Sequence, residues 1–236
     1  MRKKSICILA FVSFFAINSI AQKEDQKDNR SYIKAGLNMA NVTISDDGRF
    51  DDANMLYSFH AGIVKDLKVA PLIYLQPGVL FTAKGSKTSA GSSADATYFK
   101  ASSNPYYIEV PVNLIIKLKL NKTKLFFGAG PYAAVAIGGK NKAEGKILGF
   151  AFETDSKIEY GEYKDEDMLD YEATAGFGKM NRFDYGVNGT IGFEQSTMFL
   201  SANYGYGLAK LQSGAGSAEN DDNKHRVISI SLGFRL

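Results

Sequence analysis

The sequence predicts an all-β protein, an eight-stranded antiparallel up-and-down transmembrane β-barrel with short periplasmic turns and long outer loops. Three observations carry this reading. Eight segments alternate between apolar and polar residues, the period of a strand with two unlike faces. The links between them alternate between short and long. The polar parity is rich in glycine, while the apolar parity gathers its aromatic residues near both ends.

From the N-terminus, Arg2, Lys3 and Lys4 precede the apolar run 6–16 and the small residues Ser19 and Ala21. This is the pattern of a cleaved signal peptide, and the run is too short for a membrane-spanning helix. Residues 1–21 are therefore read as a signal peptide, 22–30 as a polar flexible segment and 31–236 as the barrel domain. Cleavage removes Cys7, the only cysteine, so no internal disulfide is expected. It also removes three basic residues from a chain of net charge +3, leaving 25 Lys and Arg against 25 Asp and Glu. A balanced mature chain gives no support for nucleic acid as a partner.

The eight segments are 31–40, 55–65, 72–84, 106–118, 124–138, 183–194, 197–209 and 225–236. In the first, Ile33, Ala35, Leu37 and Met39 oppose Lys34, Gly36 and Asn38. In the sixth, Phe183, Tyr185, Val187, Ile191 and Phe193 oppose Asp184, Asn188, Thr190 and Glu194. Links at 66–71, 119–123 and 195–196 are short; those at 41–54, 85–105, 139–182 and 210–224 are long. Long links thus share one end, as in outer-membrane barrels, and an even strand number returns both termini to the periplasmic end.

A soluble barrel would keep its apolar side chains inside. Glycine on a solvent-exposed strand face weakens the strand for no gain, but inside a narrow barrel it makes room for larger neighbours. The polar parity holds Gly36, Gly62, Gly78, Gly128, Gly130, Gly138, Gly186, Gly192, Gly205, Gly207 and Gly233, so it is read as the lumen. On the apolar parity, Tyr57, Phe81, Tyr106, Phe183, Tyr185, Tyr204 and Tyr206 fall near the upper rim, with Phe127, Phe193 and Phe234 near the lower. Two aromatic girdles around an aliphatic band fit a lipid-facing surface. Pro77, Pro111 and Pro131 fall inside strands, where each is expected to lose a ladder hydrogen bond or mark a bulge.

Four stretches, "YLQPGVLFTAKG" (74–85), "YIEVPVNLIIKL" (107–118), "FGAGPYAAVAIGGK" (127–140) and the ending "SLGFRL", resemble the PorT-type outer-membrane β-barrel family from about residue 31 to the C-terminus. The resemblance implies an eight-stranded outer-membrane barrel with in-strand prolines and no catalytic motif. PorT itself is associated with protein secretion across the envelope. The ending also looks like a barrel-assembly signal, with Phe234 third from last and Leu236 last.

Inward charges are expected to form two ion-pair clusters that plug the lumen: Lys34, Lys117, Glu194 and Arg235 below, and Lys84, Glu109 and Asp184 above. Catalysis would centre on His60, two residues from Ser58, with Asp184 or Glu109 as orienting acid. The competing reading is a histidine hydrogen-bonded in a polar lumen, and it is the one adopted. The long loops hold an acidic run at 153–172, with nine acidic residues including Asp165, Asp167 and Asp170, weak candidates for a divalent cation. Within the longest loop, 146–152 and 157–163 are expected to pair as a hairpin. The expected protein is a non-enzymatic outer-membrane barrel without cofactor, serving envelope structure or surface interaction through its long loops. Its expected partners are outer-membrane lipid, the barrel-assembly machinery through the C-terminal strand, and envelope proteins. The alternatives are an accessory part of a secretion or assembly machine, and a small barrel lipid hydrolase centred on His60.

Overall fold

The computed structural model describes residues 29–43, 55–91, 97–147, 149–161, 180–211 and 224–236. The expected signal peptide lies outside these, and of the polar segment 22–30 only Asn29 and Arg30 are described. Ten strands form: β1 (Arg30–Thr43), β2 (Leu56–Ala70), β3 (Ile73–Ala83), β4 (Ser86–Ala90), β5 (Tyr98–Leu120), β6 (Thr123–Ile147), β7 (Phe150–Lys157), β8 (Phe183–Gln195), β9 (Met198–Gly207) and β10 (Lys224–Arg235). Eight of them close a ring in the order β1-β2-β3-β5-β6-β8-β9-β10, every neighbour antiparallel, with β10 pairing back onto β1. Each predicted segment is one of these eight. Closure pairs the ladder around the whole circumference, as hydrocarbon requires. Among the described residues no helix is long and apolar enough to cross a membrane.

The three short connections are two-residue turns at 71–72, 121–122 and 196–197. Asn121 and Ser196 adopt φ of 53° and 52°, the left-handed geometry that tight hairpins need. The first turn is shorter than the expected 66–71 because β2 runs on to Ala70.

The apolar parity faces outward. Leu37 is 70% exposed, Tyr57 71% and Phe183 66%, in strands where Asn38, His60 and Asp184 are buried. Phe81 bridges Phe59 and Tyr106 on the outer surface, with ring centroids 5.7 and 5.8 Å apart.

The prolines have a common explanation. The β2–β3 ladder skips from Val64↔Gly78 to Leu67↔Leu75, beside Pro77. The β3–β5 ladder skips from Pro77↔Val112 to Leu80↔Glu109, beside Pro111. The β5–β6 ladder skips from Pro111↔Tyr132 to Leu114↔Ala129, beside Pro131. Register is unchanged across all three gaps, so each proline costs local pairing without a bulge. The register shifts fall elsewhere, at Lys68/Ala70 and Tyr106/Tyr107. The missing N–H groups thus line up as one oblique seam across neighbouring strands, each strand remaining paired on its other side.

β5 has 23 residues and β6 has 25, about twice the 9–11 that cross a bilayer. Their upper halves leave the ring as a hairpin, flanked by β4 on β5 and β7 on β6. The expected hairpin between 146–152 and 157–163 is therefore replaced by one between 140–147 and 150–157. The reason is that β6 simply continues past the barrel rim, and its outer edge is paired at once by the chain that turns back.

Candidate functional site: the lumen

The lower lumen is built around Lys117. Its ammonium donates to Asp66 and, at 2.5 Å, to Glu194. It also lies over the rings of Tyr74 (5.2 Å), Tyr32 (5.5 Å) and Phe126 (5.7 Å). Arg30 Nη1 donates to Glu194 Oε1 at 2.6 Å, and Gln76 Nε2 donates to Asp66 Oδ1 at 2.7 Å. Val64, Leu80, Ile115 and Phe199 complete the layer. A buried ion pair is tolerated only when its remaining hydrogen-bonding capacity is used, and here both carboxylates have further donors.

The middle is neutral apart from Lys34. His60 lies opposite Gly36 in β1, and Gly36 lies opposite Ser231 in β10. A Cβ at Gly36 would stand 2.7 Å from the imidazole, so its absence lets His60 reach across β1. Asn38 Nδ2 donates to the Ala83 carbonyl at 2.8 Å, which orients the amide. Asn38 Oδ1 therefore accepts from His60 Nδ1–H at 2.7 Å, and His60 Nε2 accepts from Ser231 Oγ at 2.9 Å. Ser231 accepts in turn from Asn203 Nδ2 at 3.0 Å. Ser58 is not part of this chain; it donates to the Ala83 carbonyl at 2.5 Å. A cavity of about 70 Å³ remains here, lined in part by Lys34, His60, Asn113 and Asn203.

The upper lumen is built around Lys84, which donates to Asp184 at 2.7 Å and Glu109 at 2.8 Å. Its ammonium lies 4.4 Å from the centre of the Tyr132 ring and 5.1 Å from that of Tyr107. Tyr107 meets His225 edge-on, its hydroxyl 3.3 Å from Nε2. Above this, Ile158, Met180 and Leu211 bury one another with Val42 and Tyr160 against them. Tyr160 donates to the Gly138 carbonyl at 2.7 Å; burial pushes its phenol up to about 12, against the opposing pull of Arg182.

The structure brings together Lys84, Glu109 and Asp184, and separately Lys117 and Glu194. Two residues expected in the lower cluster are elsewhere. Lys34 donates to Asn203 Oδ1 at 3.2 Å in the middle layer, and Arg235 is exposed at the lower rim. Asp66 and Arg30 take their places. Both fell just outside the predicted strand boundaries, and the alternation that continues through Val64, Asp66 and Lys68 is the signal that could have placed Asp66 inside. Of the acidic run, Glu153, Asp155 and Glu159 are described; Asp165, Asp167 and Asp170 lie outside the described residues. Among the described residues no group of three acidic, histidine or cysteine side chains is arranged to hold a metal.

The family model for the outer membrane protein beta-barrel domain matches residues 20–213. The chain belongs to this family. It is an outer-membrane protein, with the long connections on the outer side of that membrane. No curated protein matches the chain. Among solved structures, Ail of Yersinia pestis, in complex with the heparin analogue sucrose octasulfate, is 14% identical; the match covers 88% of this chain and 99% of that one at a TM-score of 0.36. Neisserial surface protein A is 16% identical over 87% of this chain and 96% of that one, at 0.36. OprG of Pseudomonas aeruginosa is 12% identical over 88% and 96%, at 0.43. None of the three bears on activity.

Proposed function

We propose that the protein is a non-enzymatic outer-membrane barrel with a plugged lumen, serving envelope structure or surface interaction through its outer loops. The observation that carries the reading is the stacking of two ion-pair clusters, around Lys117 below and Lys84 above a cavity of only about 70 Å³. An eight-stranded barrel is just wide enough for side chains to fill. Planar-bilayer recordings of the purified barrel are expected to give no stable conductance. Large, steady open channels would overturn the plugged interior.

Membership of the PorT-type branch, and with it a place in a secretion or assembly machine, is supported by the four stretches quoted above. The assembly signal is supported by the position of β10, whose pairing with β1 closes the ring. Partner proteins retained through purification in mild detergent would favour this reading.

A hydrolase reading draws on the Ser231–His60–Asn38 chain, whose distances suit a nucleophile, base and orienting group. Against it, Ser231 is 1% exposed and His60 4%, at mid-depth of a filled lumen. Fluorophosphonate probes are expected to leave the folded barrel unlabelled. Labelling that disappears in Ser231→Ala would establish the enzyme instead.

A further inference from the structure

The four-stranded sheet above the ring, β4-β5-β6-β7, has two unlike faces. Strand β5 continues without interruption from the barrel, so the side that carries Tyr106 outward also carries Asn104, Ser102, Lys100 and Tyr98. Cross-strand register fixes what shares that outward side. Lys87, Ser102, Lys142 and Asp155 form one transverse row. Ser89, Lys100, Glu144 and Glu153 form the next, and Asn104, Lys140 and Lys157 the row below. The opposite face carries Phe99, Ala101, Ala143 and Phe152, with Phe99 and Phe152 in ring contact.

Lys87, Lys100, Lys140, Lys142, Lys146 and Lys157 thus share the outward side with Glu144, Glu153 and Asp155. Three positive charges are in excess, although the surrounding long-loop sequence is acidic. Only two of these lysines are held by carboxylates among the described residues: Lys100 by Glu144 at 3.1 Å and Lys142 by Asp155 at 3.4 Å. All four partners are about half exposed, and such pairs are worth little, so they exchange readily for a better anion. A hollow of about 330 Å³ opens on this side, lined by the cations Lys87, Lys100 and Lys142, the hydroxyls of Ser89 and Ser102, and the carboxylates Glu144 and Glu153. Ser102 lies between Lys87 and Lys142 in one row, so two ammonium groups flank a hydroxyl over two strand spacings, about 10 Å. Lys100 approaches from the adjacent row.

Height decides the occupant. Ser102 is four residues above Tyr106 of the upper girdle, roughly 13 Å along the strand and less along the membrane normal because barrel strands tilt. That is the height of the polar layer of the outer leaflet, and the face that carries the lysines is continuous with the lipid-facing side of the barrel below. We propose that this face docks the phosphate groups of a phosphorylated glycolipid in the outer leaflet, with Lys87, Lys100 and Lys142 as the cations and Ser89 and Ser102 as neutral donors. Charge-assisted hydrogen bonds to phosphate are the strong kind, and the sheet fixes the spacing of the backbone positions that carry them. The proposal extends the envelope role and is independent of the plugged lumen, so a conducting barrel would leave it standing.

The test is retention of lipid A by the detergent-purified barrel, read by native mass spectrometry. The wild type is expected to retain lipid A about tenfold more than its dephosphorylated form, a difference of one decade in affinity. Lys87→Gln/Lys100→Gln/Lys142→Gln should erase that preference, whereas Lys65→Gln/Lys119→Gln/Lys122→Gln, at the opposite end of the barrel, should keep it. Glu144→Gln/Glu153→Gln should strengthen it, and this variant decides the matter if the triple variant does not fold. Equal retention of both lipids by the wild type overturns the proposal, as does equal loss in both triple variants. Displacement of lipid A by millimolar inorganic phosphate would overturn the lipid as occupant.

Discussion

Lys117→Met is expected to destabilise the folded barrel by about 3–5 kcal/mol, the cost of removing one partner from a buried ionic group. The substitution keeps the apolar stem among Tyr32, Tyr74 and Phe126 but leaves Asp66 without its ammonium. Glu194 keeps Arg30, and Lys124 at 3.8 Å, so the loss concentrates on Asp66, which is 0% exposed and keeps, among the described residues, the Gln76 amide. Urea unfolding in phospholipid vesicles, followed by far-ultraviolet circular dichroism and by heat-modifiable gel mobility, measures the change. Adding Asp66→Asn and Glu194→Gln to Lys117→Met should recover most of it, because the penalty lies in the uncompensated charges rather than in lost packing. A loss below about 1 kcal/mol, the range of exposed pairs, would mean that water reaches the cluster.

This cluster also marks where the sequence stopped being legible. Lys117 and Glu194 could be placed inside from parity alone. Asp66 continues the same parity but is cut off with the link, because the charged run Lys65, Asp66, Leu67, Lys68 reads as a polar turn; Lys117 and Gln76 across the lumen are what hold it inside. Lys34 and Arg235 share the lumen parity, but parity carries no height, so it could not separate Lys34 at Asn203 or Arg235 at the rim from Lys117. The lipid side was readable because hydrocarbon imposes one demand on every outward position. The inner side answers to particular neighbours across the barrel: His60 is bonded to Asn38 and Ser231 from other strands, not to Ser58 two residues away. The upper sheet was missed for a different reason. Its inner face is marked mainly by the small residues Ala101, Ala143 and Gly145 between Phe99 and Phe152, too thin an apolar stripe to read from alternation, and β5 and β6 persist there because each is paired on both edges.

Gly233→Ala is expected to cost about 1–3 kcal/mol, the range for forcing extra volume into a packed interior. A Cβ at Gly233 would run into the Phe199 ring, directly across the β10–β9 ladder. The far end of a side chain can often swing aside, but this one is held. Phe199 is packed edge-on against Tyr32 at 5.2 Å and against Phe126 at 5.8 Å. Gly192 leaves the corresponding space for Phe126, whose ring would be 2.5 Å from a Cβ there. Displacing Phe199 therefore moves the two rings that wall Lys117, and the strain reaches the ion pairs without touching them. Phe199→Leu in the Gly233→Ala background should restore part of the stability, while Phe199→Leu alone should cost packing, so the two changes are non-additive. The same urea series reads all three variants. If Gly233→Ala is neutral, or if the two costs simply add, then glycine on the inner parity is not there to seat the aromatic side chains, and the packing account of the lower lumen fails.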